Sequence, residues 1–162
     1  MAAPSHRMRQ LMDWRAALWA GVIAGVIFLL LNLFLVSGLV GSSPWVLIRL
    51  MASALLGPGI QAPPATFDLG ALVAALVTHF VLSIGFALLV AFALHRWGLV
   101  VGILGGALFG LALYFFNFYT LTYFLPWFFT FRGWPLLLTH VVFGATAGGV
   151  YELLEVEEWT PA

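Results

Sequence analysis

Four long apolar runs constrain this chain more than any other feature of its sequence. They cover residues 16–40, 69–94, 99–121 and 135–154. A bilayer hydrocarbon core about 30 Å thick needs about 20 apolar residues of α-helix, so each run is long enough to span it. The sequence therefore predicts an all-α membrane protein with four transmembrane helices in contact with the lipid bilayer.

Composition excludes several classes of protein. Hydrophobic residues make up 64% of the 162 residues and charged residues only 7%, whereas soluble domains contain about 25% charged residues. The chain has no Cys and no Lys, which excludes iron–sulfur clusters and Schiff-base chemistry. A net charge of zero leaves no large basic surface for nucleic acid. We find no motif of a catalytic triad, a zinc protease or paired acids, so we do not expect an enzyme.

The arginines indicate how the helices are oriented. With four spans, one group of arginines shares a side with both termini, and a smaller group lies on the other side. The first group is Arg7, Arg9, Arg15 and Arg96, and the second is Arg49 and Arg132. The positive-inside rule then places a basic N-terminus (1–15) and an acidic tail (155–162) in the cytoplasm.

A short helix is predicted on the outer side, between the first two spans. Ser43 is a suitable N-cap, Pro44 suits the first helical position, and Gly57 followed by Pro58 ends the helix. The segment 44–56 is too short to span the bilayer, so we expect an interfacial or re-entrant helix. Residues of the two outer links that should anchor this face at the headgroups are Trp45, Arg49, Trp127, Arg132 and Trp134.

The two halves of the chain resemble each other. Two glycines four residues apart, followed seven residues later by an asparagine, occur in the first and third spans: Gly21, Gly25 and Asn32, then Gly106, Gly110 and Asn117. A Thr-His pair occurs in the second and fourth spans, at 78–79 and 139–140. We therefore predict a duplicated two-helix hairpin, a parallel repeat of 16–94 and 99–154.

Lines of small residues at a spacing of four predict how the spans pack. In lipid, helices associate by close packing rather than by the hydrophobic effect, so these lines should face one another in a compact four-helix bundle. The glycines expected at the contacts are Gly21, Gly25, Gly102, Gly106, Gly110, Gly144 and Gly148.

Polar residues inside the spans form the candidate site. Their spacing from the small residues places them on inward faces, in the outer half of the membrane: Asn32, Thr78, His79, Asn117, Thr139 and His140. Three interpretations stay open. The residues hydrogen-bond the helices together and bind no metal or cofactor, His79 and His140 are the axial ligands of a haem b, or the cluster is a quinone or proton-relay site.

Several stretches of the chain carry a resemblance to a known family. They are 14–25, the helix with Thr78-His79, 102–117 with the following Pro126-Trp127, and 139–144. In this layout, which covers most of the chain, the protein resembles small uncharacterised bacterial inner-membrane proteins of the YagU-like kind. The resemblance implies a location in the bacterial cytoplasmic (inner) membrane and supplies no chemistry.

The sequence predicts a non-catalytic function. Few residues lie outside the spans and links, and small-residue and aromatic contact surfaces are abundant. We therefore expect an accessory or structural subunit of a larger respiratory or photosynthetic complex, packed against other integral membrane subunits. Two alternatives stay open, a haem- or quinone-binding bundle that uses His79 and His140, and a small transporter or channel.

Overall fold

The computed structural model describes residues 8–161 and is mainly helical. Its five longest helices are α1 (Trp14–Val40), α2 (Pro44–Leu56), α3 (Leu69–Leu94), α4 (Gly98–Tyr123) and α5 (Trp134–Leu154), and short 3-10 helices lie at Pro58–Gln61 and Pro126–Phe131. Two short strands, β1 (Met8–Leu11) and β2 (Glu158–Pro161), lie at the ends of the chain. Arg7 in the predicted basic N-terminus and Ala162 in the predicted tail lie outside the described residues.

Helices α1, α3, α4 and α5 are long and apolar enough to cross a membrane. This confirms the prediction of a multi-pass membrane protein with four helical spans. The short helix α2 begins and ends where its capping residues predict. The Ser43 side chain accepts a hydrogen bond from the Trp45 amide at 3.3 Å, and Gly57 ends the helix with a φ of 81°, a conformation that favours glycine.

The helices do not pack evenly around the bundle. Helix α5 makes its most extensive contacts with α4 and packs against α1 as well, and α1 in turn packs against α3. Helices α3 and α4 are joined by a short turn, yet they contact each other only sparsely. The segment Phe116–Thr120 near the end of α4 contacts α3 little or not at all. The bundle is therefore closed on three sides and open between α3 and α4.

Glycines bring the backbones of α4 and α5 into direct contact. A Cβ atom on Gly106 would collide with the carbonyl oxygen of Gly144, and one on Gly110 would collide with that of His140. Between α1 and α3, a Cβ atom on Gly21 would lie 2.7 Å from the Cα atom of Ile84. At all seven glycines that the sequence analysis assigned to helix packing, an added Cβ atom would lie within 3.0 Å of a neighbouring helix, although at Gly25 the atom it meets belongs to the Ser83 side chain: Gly21, Gly25, Gly102, Gly106, Gly110, Gly144 and Gly148.

The two ends of the described chain meet at one end of the bundle. Strands β1 and β2 pair antiparallel, with Gln10 opposite Trp159. Asp13 links the same regions, because its carboxylate accepts hydrogen bonds from the amides of Arg15 and Ala16 at the start of α1 and from the amide of Val156. We call this the terminal end of the bundle and the opposite end, which carries α2, the loop end. The strand pairing was not predicted from the sequence.

We predict that Gly106→Ala destabilises the bundle, because the added methyl group forces α4 away from α5. Overpacking of a close contact costs about 1–3 kcal/mol. The measurement is thermal unfolding in mild detergent. The control is Gly85→Ala in α3, where nothing lies within 4 Å of the added Cβ, and alanine favours a helix by about 1 kcal/mol over glycine. Equal effects of the two substitutions would contradict the glycine-mediated contact.

We predict that Asp13 makes the stability of the terminal end dependent on pH. The hydrogen bond from the Ala16 amide, and those from Val156 and Arg15, lower the pKa of this carboxyl below its ordinary value of 3.8. Its stabilising contribution is therefore complete above about pH 4–5 and is lost as the pH falls through the lowered pKa. Asp13→Asn keeps an N-cap and should flatten the decline in melting temperature between pH 5 and pH 3. An unchanged decline would show that other carboxyls cause it.

Candidate functional site

A cavity of about 130 Å³ lies between the membrane-spanning helices near the loop end. Five of the six polar residues predicted to form a site line it: Asn32, Thr78, His79, Asn117 and His140. The sixth, Thr139, is fully buried elsewhere, and its hydroxyl donates to the Leu136 carbonyl at 2.9 Å. The rest of the wall is aromatic and aliphatic, so a few polar groups converge in an otherwise apolar space, as in many small-molecule sites.

Both asparagines of the cavity lie in irregular turns. Helix α1 widens to a π-helical turn at Leu31–Val36, and α4 does so at Phe116–Thr120. Asn32 and Asn117 each occupy the second position of such a segment. Single π-helical turns inside α-helices are frequently found at functional sites.

Asn117 and His140 form the central hydrogen bond of the cavity. The Nδ2 atom of Asn117 lies 3.3 Å from Nε2 of His140, and Nδ1 of His140 lies 2.7 Å from the carbonyl oxygen of Leu136. Because a carbonyl can only accept, His140 donates to it through Nδ1, and its Nε2 atom then accepts from the Asn117 amide. The Leu136 carbonyl of α5 therefore fixes the tautomer of His140, and His140 in turn fixes the orientation of the Asn117 amide.

The second histidine is held by the first span. Nε2 of His79 donates to the carbonyl oxygen of Gly25 at 2.8 Å, so the Nδ1 atom of His79 carries a lone pair. The ring of Phe28 stacks on His79 at 5.7 Å between centroids and meets His140 edge-on at 4.8 Å. Phe28 therefore contacts both imidazoles, and a haem iron bound by both would require its side chain to move. The haem interpretation stays a prediction.

The cavity is not fully enclosed. Its lining includes Leu82 and Phe86 of α3 and Leu121 at the end of α4, the two helices that contact each other only sparsely. Leu82 is 47% exposed, and Phe86 and Leu121 are half-buried. The opening therefore lies between α3 and α4, on the side of the bundle where a membrane would supply lipid chains.

Helix α2 and the aromatic link after α4 cover the cavity at the loop end. Leu47, Leu50 and Met51 of α2 face it, as does Phe128 of the link. The indole Nε1 atom of Trp127 donates to the Ser53 hydroxyl at 2.9 Å, and this bond ties the two covering segments together.

Arg49 holds the loop that follows α2. Its guanidinium donates to the carbonyl oxygens of Ile60, Ala62 and Thr66 at 2.9–3.3 Å. Backbone carbonyls in this loop thus gain a charged donor, which makes a stronger hydrogen bond than a neutral one.

The remaining predicted anchors lie in the loop-end segments. Trp45 packs edge-on against Phe67 at 5.2 Å. The guanidinium of Arg132 lies 3.1 Å from the ring centre of Phe129, and Trp134 at the start of α5 is 65% exposed. None of these three lines the cavity.

Sequence reasoning missed Phe28 and Ser83 as site residues. Ser83 lies four residues after His79 on α3, and its buried side chain lines the cavity. Phe28 lies four residues before Asn32 and its carbonyl accepts the Asn32 amide at 2.7 Å. That helical spacing was a usable signal for Phe28, because residues four apart lie on one face.

Comparisons with known proteins do not assign this chain to a family. No protein-family model, no curated protein and no solved structure matches this chain. The resemblance to YagU-like proteins therefore stays a prediction, and the function is argued from the site.

We predict that the Ser53–Trp127 hydrogen bond couples α2 to the aromatic link. Ser53→Ala and Trp127→Phe should each lower the free energy of unfolding, and the double variant should lose less than the sum, with a coupling of about 0.5–1.5 kcal/mol. Unfolding in mild detergent gives the four values. The matched control pairs Ser53→Ala with Trp134→Phe, because Trp134 is exposed and should give additive effects. Additivity in both pairs would exclude a coupling through the bond.

Proposed function

We propose that this multi-pass membrane protein is a non-catalytic binding protein for a lipophilic small molecule with a polar ring. The observation that carries the proposal is the apolar cavity between the spans into which two asparagines and two histidines project. Polar residues in a membrane interior are costly and are by default functional candidates. Quinones belong to the proposed ligand class.

The size and lining of the cavity support a single six-membered ring. Its volume of about 130 Å³ is close to the volume of about 150 Å³ at which an engineered apolar cavity binds benzene. Phe28, Phe118 and Phe143 supply aromatic surface in the wall, and aromatic rings gain from edge-on and offset contacts with one another. A larger ring system would need the walls to move.

The opening between α3 and α4 supports a ligand that arrives from the bilayer. A ring in the cavity could leave its hydrocarbon chain in this gap, next to the exposed face of Leu82. The chain would then stay in lipid, and only the ring would exchange lipid for protein. This arrangement suits a molecule that is itself a membrane component.

Other functions receive less support from the geometry. The glycine lines that suggested an accessory subunit are used within the chain, between α4 and α5 and between α1 and α3. The subunit hypothesis stays a prediction, as does the small transporter or channel. We further propose the bacterial cytoplasmic membrane as the location, with both termini in the cytoplasm, as the arginines indicate.

We also propose that the chain is a duplicated two-helix hairpin. The π-helical turns support this proposal, because they occur in the first and third spans around the matching residues Asn32 and Asn117. Under this proposal the cavity is built from equivalent faces of the two hairpins.

We predict saturable binding of 4-decylphenol, about one molecule per chain. The protein in lipid nanodiscs is dialysed against the probe, and empty nanodiscs correct for partition into lipid. Ala54→Phe should abolish the saturable part, because Ala54 lines the cavity and a phenyl group would fill it. The matched control is Ala112→Phe on the exposed face of α4, which should bind normally. Binding that survives Ala54→Phe would place the probe elsewhere. Purely linear uptake both of 4-decylphenol and of a quinone with the same chain length would overturn the proposed function.

A further inference from the structure

We infer that the ring of the ligand carries a hydroxyl group, as in a phenol or a hydroquinone, and that this hydroxyl donates to acceptors fixed by the bundle. The inference rests on the proposed function and names the chemistry of its ligand. It follows from the hydrogen bonds that the polar residues already make, since these decide which atoms remain for a ligand.

The Asn117 amide presents its oxygen as a free acceptor. His140 must donate through Nδ1 to the Leu136 carbonyl, so its Nε2 atom is a lone pair that faces the nitrogen of the Asn117 amide. Turning the amide over would set its oxygen against this lone pair, which is repulsive. Within residues 10–160, no side chain or amide donates to Oδ1 of Asn117.

The Asn32 amide is fixed in the same sense by its own helix. Its Nδ2 atom donates to the carbonyl oxygen of Phe28 at 2.7 Å, and the reversed orientation would bring two acceptor oxygens together. The side chain is only 4% exposed, and it lines the cavity. None of the described residues donates to its Oδ1 atom.

His79 adds a third acceptor. Because its Nε2 atom donates to Gly25, its Nδ1 atom carries a lone pair, for which the described part of the chain provides no donor. His79 is 5% exposed and lines the same cavity. Three acceptors, one each on α1, α3 and α4, thus line one small apolar cavity.

A hydroxyl group fits this set better than a carbonyl group. The second hydrogen of each amide nitrogen, together with the Ser83 hydroxyl, can donate to any ligand oxygen. Only a ligand that also donates can satisfy the acceptor oxygens, and a polar group left unpaired in a buried site costs about 1–3 kcal/mol. A hydroxyl both donates and accepts, whereas a methyl ether and a quinone carbonyl only accept.

The test compares three probes with one ring and one chain length: 4-decylphenol, 4-decylanisole and 2-decyl-1,4-benzoquinone. Binding is measured by dialysis against nanodiscs that contain the wild-type chain. We expect the phenol to bind at least about five-fold more tightly than either of the others, the factor that one hydrogen bond of about 1 kcal/mol supplies. Saturable binding of the three probes with equal affinity, or tighter binding of the quinone, would overturn the inference and leave the proposed function standing. No saturable binding of any probe would overturn both.

Three variants assign the preference to the acceptors: Asn32→Leu, His79→Phe and the double variant Asn117→Leu/His140→Phe. The last is a pair because loss of Asn117 alone would free the lone pair on Nε2 of His140 as a new acceptor. A hydroxyl donates one hydrogen bond, so the variant that removes the acceptor in use should reduce the preference for phenol over anisole to less than about two-fold. Thr139→Val is the matched control, because Thr139 is a buried polar neighbour on the helix of His140 that does not line the cavity. The control should keep the full preference. A preference that persists in all three variants, each of which still binds anisole saturably, would contradict the assignment.

Discussion

Backbone contact between α4 and α5 is the interaction on which the rest of the bundle depends. Lipid chains are as apolar as the helices, so association in a bilayer comes from close packing rather than from exclusion of water. The glycines at Gly102, Gly106 and Gly110 let the carbonyl oxygens of one helix reach the backbone of the other. Because α4 is held by α5, and α3 by α1, the two hairpin neighbours α3 and α4 are left apart. The cavity and its lateral opening are thus consequences of where the glycines lie.

Most polar groups of the cavity are tolerated because they first satisfy a neighbouring backbone carbonyl. His140, Asn32 and Thr78 donate within their own helices, to Leu136, Phe28 and Ala74, and His79 donates across to Gly25. These bonds remove the largest cost of burying a polar side chain. They also decide which atoms remain available, so the same contacts that stabilise the bundle give the cavity its chemical character.

The sequence predicted the helices well because length, hydropathy and capping act locally. The four spans and the short helix after Ser43 lie where these signals place them. The sequence also named five polar residues that line one cavity, because helical spacing relates each of them to a line of small residues. It did not predict the gap between α3 and α4 or the pairing of β1 with β2. Both depend on contacts between distant segments, and no local pattern specifies which of several glycine faces will meet.

The π-helical turns connect the fold to the site. A π-helical turn is rare and gives up regular α-helical geometry, so two such turns around Asn32 and Asn117 need a common explanation. The proposed duplication explains why they occur at matching positions. Retention of both turns points to a shared use, and both asparagines line the cavity. If the asparagines served only to hold helices together, regular helix would present them equally well, since their nitrogen atoms already bond to a carbonyl four residues back and to a neighbouring histidine. The irregular turns are therefore better explained by the atoms that they leave unpaired.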